Sequence, residues 1–291
     1  MTCRWSTTAM VSPPAVGGRG PGEGCRANGT PPREPTERDA CDLDWARPGP
    51  QEVKVILTRP VSYEDGAMHF DGVLAWPESA DGSLPGLLLV HGGAGLDSHA
   101  LGQAARYAEL GYTVLAADMF GPGVVGNRER VVAELMELRD SPELTVRRAG
   151  AGMSALAACP EASGCLAAVG FCFGGMVVLA LARAGVDLAG VVSMHGSLKT
   201  SLPVHPDTVK SRVLVCHGSA DPHVPFADVT SFVDEMGATG ADWQLLILGG
   251  AVHGFTHHDA VAGATPGVAY DEAADRRSFD AARLFLTELA T

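Results

Sequence analysis

Three side chains whose types together carry out nucleophilic catalysis occur in the order cysteine, aspartate, histidine. Cys172 lies in the segment VGFCFGG, Asp221 in HGSADP and His253 in GGAVHGF. Each segment follows a short apolar run that is typical of a buried strand. The histidine could take the thiol proton and later protonate a leaving group, while the aspartate would hold its tautomer and stabilise the imidazolium. The pattern therefore predicts a catalytic triad of Cys172, Asp221 and His253 at strand ends.

Cys172 is predicted to lie at the apex of a sharp turn between a strand and a helix. A residue at such an apex is forced toward positive φ, and Gly170 and Gly174 would let strand and helix pass without a Cβ clash. The sulfur would then lie near a helix N-terminus, where peptide dipoles lower the pKa of a thiol. A plain packing turn is the alternative. A phosphate loop is disfavoured because no Lys-Ser/Thr pair follows the glycines.

A second glycine-rich loop, His91-Gly92-Gly93-Ala94-Gly95, follows the apolar run of residues 87–90. The loop has little side-chain bulk, so its backbone N–H groups could point at a developing oxyanion. A flexible turn is the alternative interpretation. Taken along the chain, the predicted oxyanion donors, nucleophile, acid and histidine follow the order that an α/β-hydrolase requires.

The elements that must position these residues are indicated by alternating apolar patterns. Strands are predicted at Val53–Thr58, Ala67–Trp76, Leu87–Val90, Tyr112–Ala117, Leu166–Cys172, Leu188–Met194, Arg212–Cys216 and Trp243–Leu248. Helices are predicted at Ser98–Leu110, Asn127–Arg139, Pro142–Ala158, Gly174–Ala184, Phe226–Met236 and Glu272–Leu289. After a leading hairpin, this alternation predicts an α/β fold whose mostly parallel sheet of about eight strands carries helices on both faces. In such sheets ligands bind outside the carboxyl ends of the strands.

Residues 1–50 differ in composition from the rest of the chain. They are rich in proline and glycine and show no periodic apolar pattern, so they cannot bury enough surface to offset their ordering entropy. We expect a disordered tail, which a mis-assigned start codon would also produce, and an α/β-hydrolase domain at residues 51–291. Deleting residues 1–48 is expected to leave the melting temperature and the activity unchanged.

Composition restricts the partners and the compartment. A formal net charge of −13 argues against nucleic acid or an anionic membrane as a partner, because either would need a basic patch. The seven cysteines include no Cys-x-x-Cys pair, and we predict structural roles for Cys159, Cys165 and Cys216 in a reducing cytoplasm. No signal peptide or membrane span is predicted. The expected protein is cytoplasmic, either monomer or homodimer, with a small-molecule substrate and no cofactor.

The chain also resembles the dienelactone hydrolase family. The resemblance rests on the GFCFGG turn around Cys172, the Asp221 loop, the His253-Gly254-Phe255 loop and the segment from Ala269-Tyr270 to Arg276-Arg277-Ser278-Phe279. It extends over about residues 52–291. It implies a single α/β-hydrolase domain with a Cys-His-Asp triad, and an oxyanion hole formed by the N–H groups of Phe173 and Gly93.

The sequence departs from the family pattern at two positions. Members of the family often carry a glutamate that helps to generate the thiolate, and here that position is Gly92. Activation would then depend on His253 and the helix dipole or on another carboxylate. Where the founding enzymes have a carboxylate-binding arginine, this chain has His257. Arg128 and Arg130 could meet a substrate carboxylate instead, with a solvated helix face as the alternative.

The choice of sulfur restricts the predicted substrate. A thiolate is itself a good leaving group, so the tetrahedral intermediate goes forward only when the alcohol leaves at least as easily. Enol esters, conjugated lactones, aryl esters and thioesters meet this condition. The residues expected to form the pocket walls are aromatic or contain sulfur, which indicates an apolar or flat substrate: Met119, Phe120, Phe171, Phe173 and Phe255. Two histidines at strand ends, His195 and His217, are expected near the site and could line it.

Two other classes of function fit parts of the sequence. The fold could survive as a non-catalytic small-molecule binding protein, with Gly92 as the first sign of lost activity, and an ordinary thiol pKa at Cys172 would then be expected. A metal site could use His253, His257, His258 and Asp259. We expect no metal there, because this run follows a strand and contains a glycine, whereas His-x-x-x-His ligation needs a helix.

Overall fold

An eight-stranded sheet forms the centre of the structure, which is a computed structural model that describes residues 54–80, 82–201, 204–205 and 207–289. Its strands are β1 (Ile56–Asp65), β2 (Met68–Pro77), β3 (Leu84–Val90), β4 (Thr113–Ala117), β5 (Ala162–Phe171), β6 (Gly190–Met194), β7 (Arg212–Gly218) and β8 (Trp243–Leu248). The predicted tail at residues 1–50 lies outside the described residues and stays a prediction.

The strand order is β1-β2-β4-β3-β5-β6-β7-β8. The β1–β2 and β2–β4 pairs are antiparallel, and the five pairs from β4 to β8 are parallel. This arrangement confirms the predicted α/β class with a mostly parallel sheet. Residues of β4 and β6 are buried throughout, which explains why their sequences are continuous apolar runs without alternation.

In the described part of the chain, six helices cover the two faces of the sheet: α1 (Ser98–Glu109), α2 (Arg128–Asp140), α3 (Pro142–Ala157), α4 (Phe173–Arg183), α5 (Phe226–Thr239) and α6 (Glu272–Glu288). Buried residues of α1 and α6 share one apolar cluster with one face of the sheet. Buried residues of α3, α4 and α5 share the cluster on the other face. Both faces are thereby withdrawn from water, as a parallel sheet requires.

Several element boundaries differ from the sequence prediction; β3 begins at Leu84 and β5 at Ala162, three and four residues earlier than predicted. Two further differences have a clear physical reason. Strand β1 runs on from Ile56 to Asp65 because every one of these residues pairs with β2, and the hairpin turn comes at Gly66, whose φ is 63°. Helix α5 continues through Gly237 to Thr239, and its C-cap is Gly240, whose φ is 72°. Glycine adopts this left-handed conformation most easily, so the residue that terminates the helix is Gly240 and not Gly237.

The parallel strands bring four loops to one edge of the sheet. The loops after β3, β5, β7 and β8 contain residues 91–95, Cys172, Asp221 and His253 respectively. This edge is the carboxyl end of the parallel strands, where ligands of open α/β sheets bind. Within the described part of the chain, none of the helices is both long and apolar enough to cross a membrane.

Candidate active site

Cys172 stands at the junction of β5 and α4 in a backbone conformation that is unusual for a residue with a side chain. Its φ is 54° and its ψ is −112°. A Cβ at Gly170 would lie 2.0 Å from the carbonyl oxygen of Gly174, and a Cβ at Gly174 would lie 2.1 Å from that of Val90. Both positions therefore admit only glycine, and the close approach of strand and helix leaves Cys172 at the apex of the turn.

The side chains of Cys172, His253 and Asp221 meet in one line of contacts. The Sγ atom of Cys172 lies 3.0 Å from Nε2 of His253, and Nδ1 of His253 lies 2.8 Å from Oδ2 of Asp221. These are hydrogen-bond distances for a nucleophile, a base and the group that orients the base. The structure thus brings together three residues that are separated along the chain by up to 81 positions.

Backbone contacts hold the acid and the histidine in place. Oδ1 of Asp221 accepts hydrogen bonds from the backbone N–H groups of His223 at 2.8 Å and Val224 at 3.2 Å. The backbone N–H of His253 donates to the carbonyl oxygen of Gly267 at 3.0 Å, while its carbonyl accepts from Ala269 at 3.2 Å. The Asp221 carboxylate is left with its Oδ2 atom facing the imidazole.

The electrostatics of the three groups favour a thiolate and an imidazolium. Burial alone raises the pKa of Cys172, but the hydrogen bond and charge of His253 and the backbone N–H groups of Phe173 and Gly93 outweigh it and hold the pKa below the ordinary thiol value. Burial alone lowers the pKa of His253, but hydrogen bonds with Asp221 and Cys172 raise it to about 10. Both shifts favour the thiolate–imidazolium pair, and they arise with no glutamate at position 92.

The two backbone N–H groups predicted to form an oxyanion hole both face the sulfur. Phe173 is the first residue of α4, so its N–H is among those that have no partner within the helix. Gly93 belongs to the loop after β3. That loop is held by the buried His91, whose Nδ1 lies 2.7 Å from the carbonyl oxygen of Gly92 and whose Nε2 accepts the N–H of Met119 at 3.1 Å.

A chain of hydrogen bonds through His195, whose ring packs on that of His253 at a centroid distance of 5.3 Å, also supports the turn. The backbone N–H of Cys172 donates both to the carbonyl oxygen of Met194 at 2.9 Å and to Nδ1 of His195 at 3.1 Å, and Nε2 of His195 lies 2.8 Å from Oγ1 of Thr256. Oγ1 of Thr256 lies 3.2 Å from Nε2 of His99. Sequence reasoning placed His195 near the site but missed Thr256 and His99, whose partners come from distant loops.

Two cavities open beside Cys172 and His253. The smaller has a volume of about 230 Å³ and is lined by the strand-end loops, including Asp97, His99, Phe171, His195, His257 and Asp259. The larger has a volume of about 540 Å³ and is lined mainly by apolar side chains of α2 and α4, including Val132, Leu135, Met136, Phe173 and Met176. Cys172 and His253 border both cavities, so a substrate at the sulfur has room on two sides.

Some predicted pocket residues lie beneath the site instead of lining it. Met119, Phe120 and Phe255 are fully buried, and none of them borders either cavity. Phe120 packs against the ring of His91 at a centroid distance of 4.6 Å, and Phe255 packs against His195 at 4.9 Å. Their role is to support the loops, because each follows a strand end with its side chain turned into the core. The prediction that they form pocket walls was wrong.

Of the polar residues predicted to contact the substrate, some border a cavity and others do not. His257 borders the smaller cavity, whereas Arg128 and Arg130 border neither cavity. Arg130 donates from Nη1 to the carbonyl oxygen of Gly123 at 2.8 Å, and Arg128 is exposed on the first turn of α2. This corrects the hypothesis that the arginines meet a substrate carboxylate. His217 is buried and borders neither cavity.

One group of residues has the donor atoms that a transition metal prefers. One donor atom each from Asp97, His99 and His257 lies within 4.8 Å of the others. However, the rings of His99 and His257 stack with centroids 4.5 Å apart and planes 13° apart. Their in-plane lone pairs therefore lie in two nearly parallel planes, which is unfavourable for directing both at one ion. We assign no metal chemistry to this group.

The residues considered for a metal site on sequence grounds make separate contacts. His253 contacts Asp221 and Cys172, and His258 packs on the ring of Tyr270 at a centroid distance of 4.4 Å. His257 instead faces Asp97, with Nε2 and Oδ2 3.2 Å apart. Among the residues that the structure describes, these four do not form a cluster of converging donors.

The sequence matches the model of the dienelactone hydrolase family over residues 70–289. An uncharacterised protein of Caenorhabditis elegans, K02A2.1, is 37% identical over 125 residues, which are 42% of this chain and 79% of that protein.

Solved structures show the same similarity. The dienelactone hydrolase-like promiscuous phosphotriesterase P91 from metagenomic libraries is 39% identical, with a TM-score of 0.77, over 80% of this chain and 98% of that chain. Dienelactone hydrolase from Anabaena variabilis shares the fold with a TM-score of 0.59 at 20% identity, over 80% of this chain and 98% of that chain.

Proposed function

The chain belongs to the dienelactone hydrolase family, and we propose that it hydrolyses activated carboxylic esters or lactones through an acyl-cysteine intermediate. The observation that carries the proposal is the line of contacts from Cys172 through His253 to Asp221, with distances of 3.0 Å and 2.8 Å. The pKa shifts of the first two groups favour a thiolate as the nucleophile and an imidazolium as the acid.

In the first half-reaction the Cys172 thiolate attacks the carbonyl carbon of the ester. The carbonyl π electrons move onto oxygen, and the N–H groups of Phe173 and Gly93 stabilise the resulting oxyanion. Collapse of the intermediate breaks the bond to the alcohol oxygen. The His253 imidazolium donates its Nε2 proton to that oxygen, so the alcohol leaves neutral and the acyl group stays on sulfur.

In the second half-reaction water replaces the alcohol. Neutral His253 takes a proton from the water as it attacks the acyl-cysteine carbonyl, and the second tetrahedral intermediate releases the carboxylic acid and the Cys172 thiolate. Asp221 stays ionised throughout and holds Nδ1–H of His253 in the tautomer that both steps need. Each cycle consumes one water and restores the thiolate–imidazolium pair.

Sulfur restricts the substrates to esters with good leaving groups. A thiolate is expelled from the first intermediate in competition with the alcohol, so aryl and enol esters, conjugated lactones and thioesters are favoured over simple alkyl esters. The substrate is a small molecule that fits one or both cavities beside the sulfur.

The proposal is tested by the hydrolysis of p-nitrophenyl acetate by the full chain and by Cys172→Ala. We expect the variant to fall to the rate of the uncatalysed reaction while its circular dichroism and melting temperature stay close to those of the wild type. Cys159→Ala is the matched control, because it removes a buried thiol that lies before β5, at the opposite edge of the sheet. A folded Cys172→Ala protein with the wild-type rate would overturn the proposal.

Phosphotriester hydrolysis is a second candidate function. It is favoured by the 39% identity to the P91 phosphotriesterase over 80% of this chain. The same thiolate would attack phosphorus, and His253 would protonate the departing alcohol, leaving the phosphoryl group on sulfur. Water, giving a proton to neutral His253, would then attack phosphorus, break the P–S bond and release the phosphate diester and the thiolate. Hydrolysis of an aryl dialkyl phosphate by wild type and by Cys172→Ala tests it, and Cys172-dependent release of the phenol is the result expected.

A further inference from the structure

The larger cavity is bordered by an apolar face of α2 that the described parts of the chain cover only at Leu135. Val132, Leu135, Met136 and Arg139 all border this cavity, and their spacing of three, four and seven residues places them on one side of a helix. Val132 is 46% exposed and Met136 is 49% exposed. The helix therefore leaves two large apolar side chains open toward the cavity beside Cys172.

Side chains next to Val132 and Met136 account for the attachment of α2 to the domain. Leu138 is fully buried, Leu135 packs against the apolar cluster on this face of the sheet, and Glu134 accepts a hydrogen bond from Nη1 of Arg148 at 3.0 Å. Val132 and Met136 do not belong to that cluster, so they are not needed to anchor the helix to the sheet. An exposed apolar stripe next to a reactive group marks a site for an apolar ligand.

The two cavities differ in the chemistry of their walls. The smaller contains two carboxylates, Asp97 and Asp259, and two histidines, His99 and His257, in addition to the catalytic groups. In the larger, the charged residue Arg139 is paired with Asp140 at 2.8 Å from Nε to Oδ1, and Met176 and Val224 add further apolar surface. A substrate with one apolar arm would gain more in the larger cavity.

We propose that the larger cavity, with Val132, Leu135, Met136 and Met176 as its apolar wall, is a binding site for a hydrophobic arm of the ester. We call it the α2 subsite. The substrate class is therefore esters of medium-length alkyl or of aryl groups, with the other arm facing the smaller cavity, whose wall includes Asp97, His99 and Asp259. This inference rests on the proposed function, because Cys172 borders the subsite and must react with the bound ester.

The expected size of the effect follows from apolar burial. Each methylene that leaves water for an apolar site contributes about 0.8 kcal/mol, which corresponds to about fourfold in kcat/KM. A cavity of about 540 Å³ has room for several such groups. The ratio of kcat/KM for p-nitrophenyl hexanoate to that for p-nitrophenyl acetate is therefore expected to exceed about 10 in the wild type.

The test is the double variant Val132→Thr/Met136→Gln. Both changes keep side-chain size close to the original and make the wall polar, and both lie on an exposed helix face where they cost little stability. We expect the hexanoate-to-acetate ratio to fall at least tenfold. Met68→Gln is the matched control, since Met68 is 41% exposed on β2 and borders neither cavity; it is expected to keep the wild-type ratio.

A second series identifies which arm of the ester occupies the subsite. Acetates of phenol and of 4-butylphenol vary the leaving group and keep the acyl group constant. A drop in chain-length preference in either series supports the inference and identifies the arm. Ratios that stay within twofold of the wild type in both series would overturn it.

Binding to Cys172→Ala separates this inference from the proposed function. That variant cannot form an acyl-enzyme, so the dissociation constants of p-nitrophenyl hexanoate and acetate are measured without turnover. We expect the hexanoate to bind at least tenfold more tightly, and this preference to disappear when Val132→Thr/Met136→Gln is added. Equal binding of the two esters would contradict the α2 subsite even if Cys172 is the nucleophile. Tight hexanoate binding with an inactive wild type would instead contradict only the proposed function.

Discussion

Nδ1 of His195 accepts a hydrogen bond from the backbone N–H of Cys172 at 3.1 Å. The same N–H also donates to the carbonyl oxygen of Met194 at 2.9 Å, so it is shared between the two acceptors. Because a backbone N–H can only donate, Nδ1 of His195 acts as an acceptor here, and the tautomer with its proton on Nε2 is the one that can donate to Oγ1 of Thr256. Burial holds the pKa of His195 well below the ordinary value, so the ring stays neutral. His195 also has a φ of 40°. A strained residue thereby supports the turn that carries Cys172.

From this contact we predict that His195 is a positioning residue. Asparagine tolerates positive φ and can place an oxygen near the position of Nδ1, so His195→Asn should retain at least tenfold more of the wild-type kcat than His195→Leu. A purely structural role would lower the melting temperature of both variants without separating their kcat values. Steady-state kinetics at saturating ester, with thermal unfolding of each variant, measures the difference.

Asp221→Asn should lower kcat by about 10³-fold or more, because the carboxylate that holds His253 and stabilises its charge is lost. Without that charge the pKa of His253 falls, the imidazolium is less stable and the pKa of Cys172 rises. The rate of alkylation of Cys172 by iodoacetamide should then fall at neutral pH. Asp228→Asn serves as the control, since this buried aspartate lies on α5 and pairs with Lys199. An unchanged alkylation rate in Asp221→Asn would contradict the assigned role.

The pH profile of the wild-type alkylation rate should show a reactive thiolate below the pH at which an ordinary cysteine titrates, about 8.5. The lowered pKa of Cys172 means that the thiolate is present at lower pH than in an ordinary cysteine. The His253 pKa of about 10 means that the imidazolium beside it is present up to about that pH. Mass spectrometry of the labelled protein from pH 5 to 10 follows Cys172. A midpoint at the ordinary thiol value would favour the non-catalytic binding protein.

Adding a glutamate at position 92 should raise the pKa of Cys172. A Cβ at Gly92 would lie 3.7 Å from Cβ of Cys172 and 3.6 Å from the carbonyl oxygen of Phe171, so the backbone has room for it. A second negative charge close to the sulfur disfavours the thiolate. We expect the alkylation midpoint of Gly92→Glu to move upward by about one pH unit. Gly92→Gln, which has the same shape and no charge, should leave it near the wild-type value.

Gly174→Ala should destabilise the protein by about 3 kcal/mol or more, because the new Cβ would lie 2.1 Å from the carbonyl oxygen of Val90 and the backbone must move. Gly102→Ala is the matched helical control. A Cβ at Gly102 meets nothing within 4 Å, so this variant should gain up to about 1 kcal/mol from helix propensity. Urea unfolding of both variants gives the two values. Equal stability of the two variants would show that the approach at Gly174 is not tight.

Local pattern predicted most of the fold. The apolar runs of β3 to β8 and the glycines that end α1 and α4 depend on neighbours in sequence, so strand and helix positions were correct to within a few residues. The errors lie where a longer-range partner decides. Strand β1 extends to Asp65 because β2 lies beside it along its whole length, and its own residues alternate too weakly to indicate that.

The sequence by itself determined the turn at Cys172 and the order of Cys172, Asp221 and His253. Glycine spacing and residue order are local or one-dimensional properties, and they are enough to place reactive groups at strand ends. Only the tertiary structure decided which aromatic residues line a cavity and which support it, that Thr256 and His99 meet His195, and that α2 turns an apolar face toward the sulfur. Those outcomes depend on how loops from separate strands pack against one another, which no stretch of sequence contains.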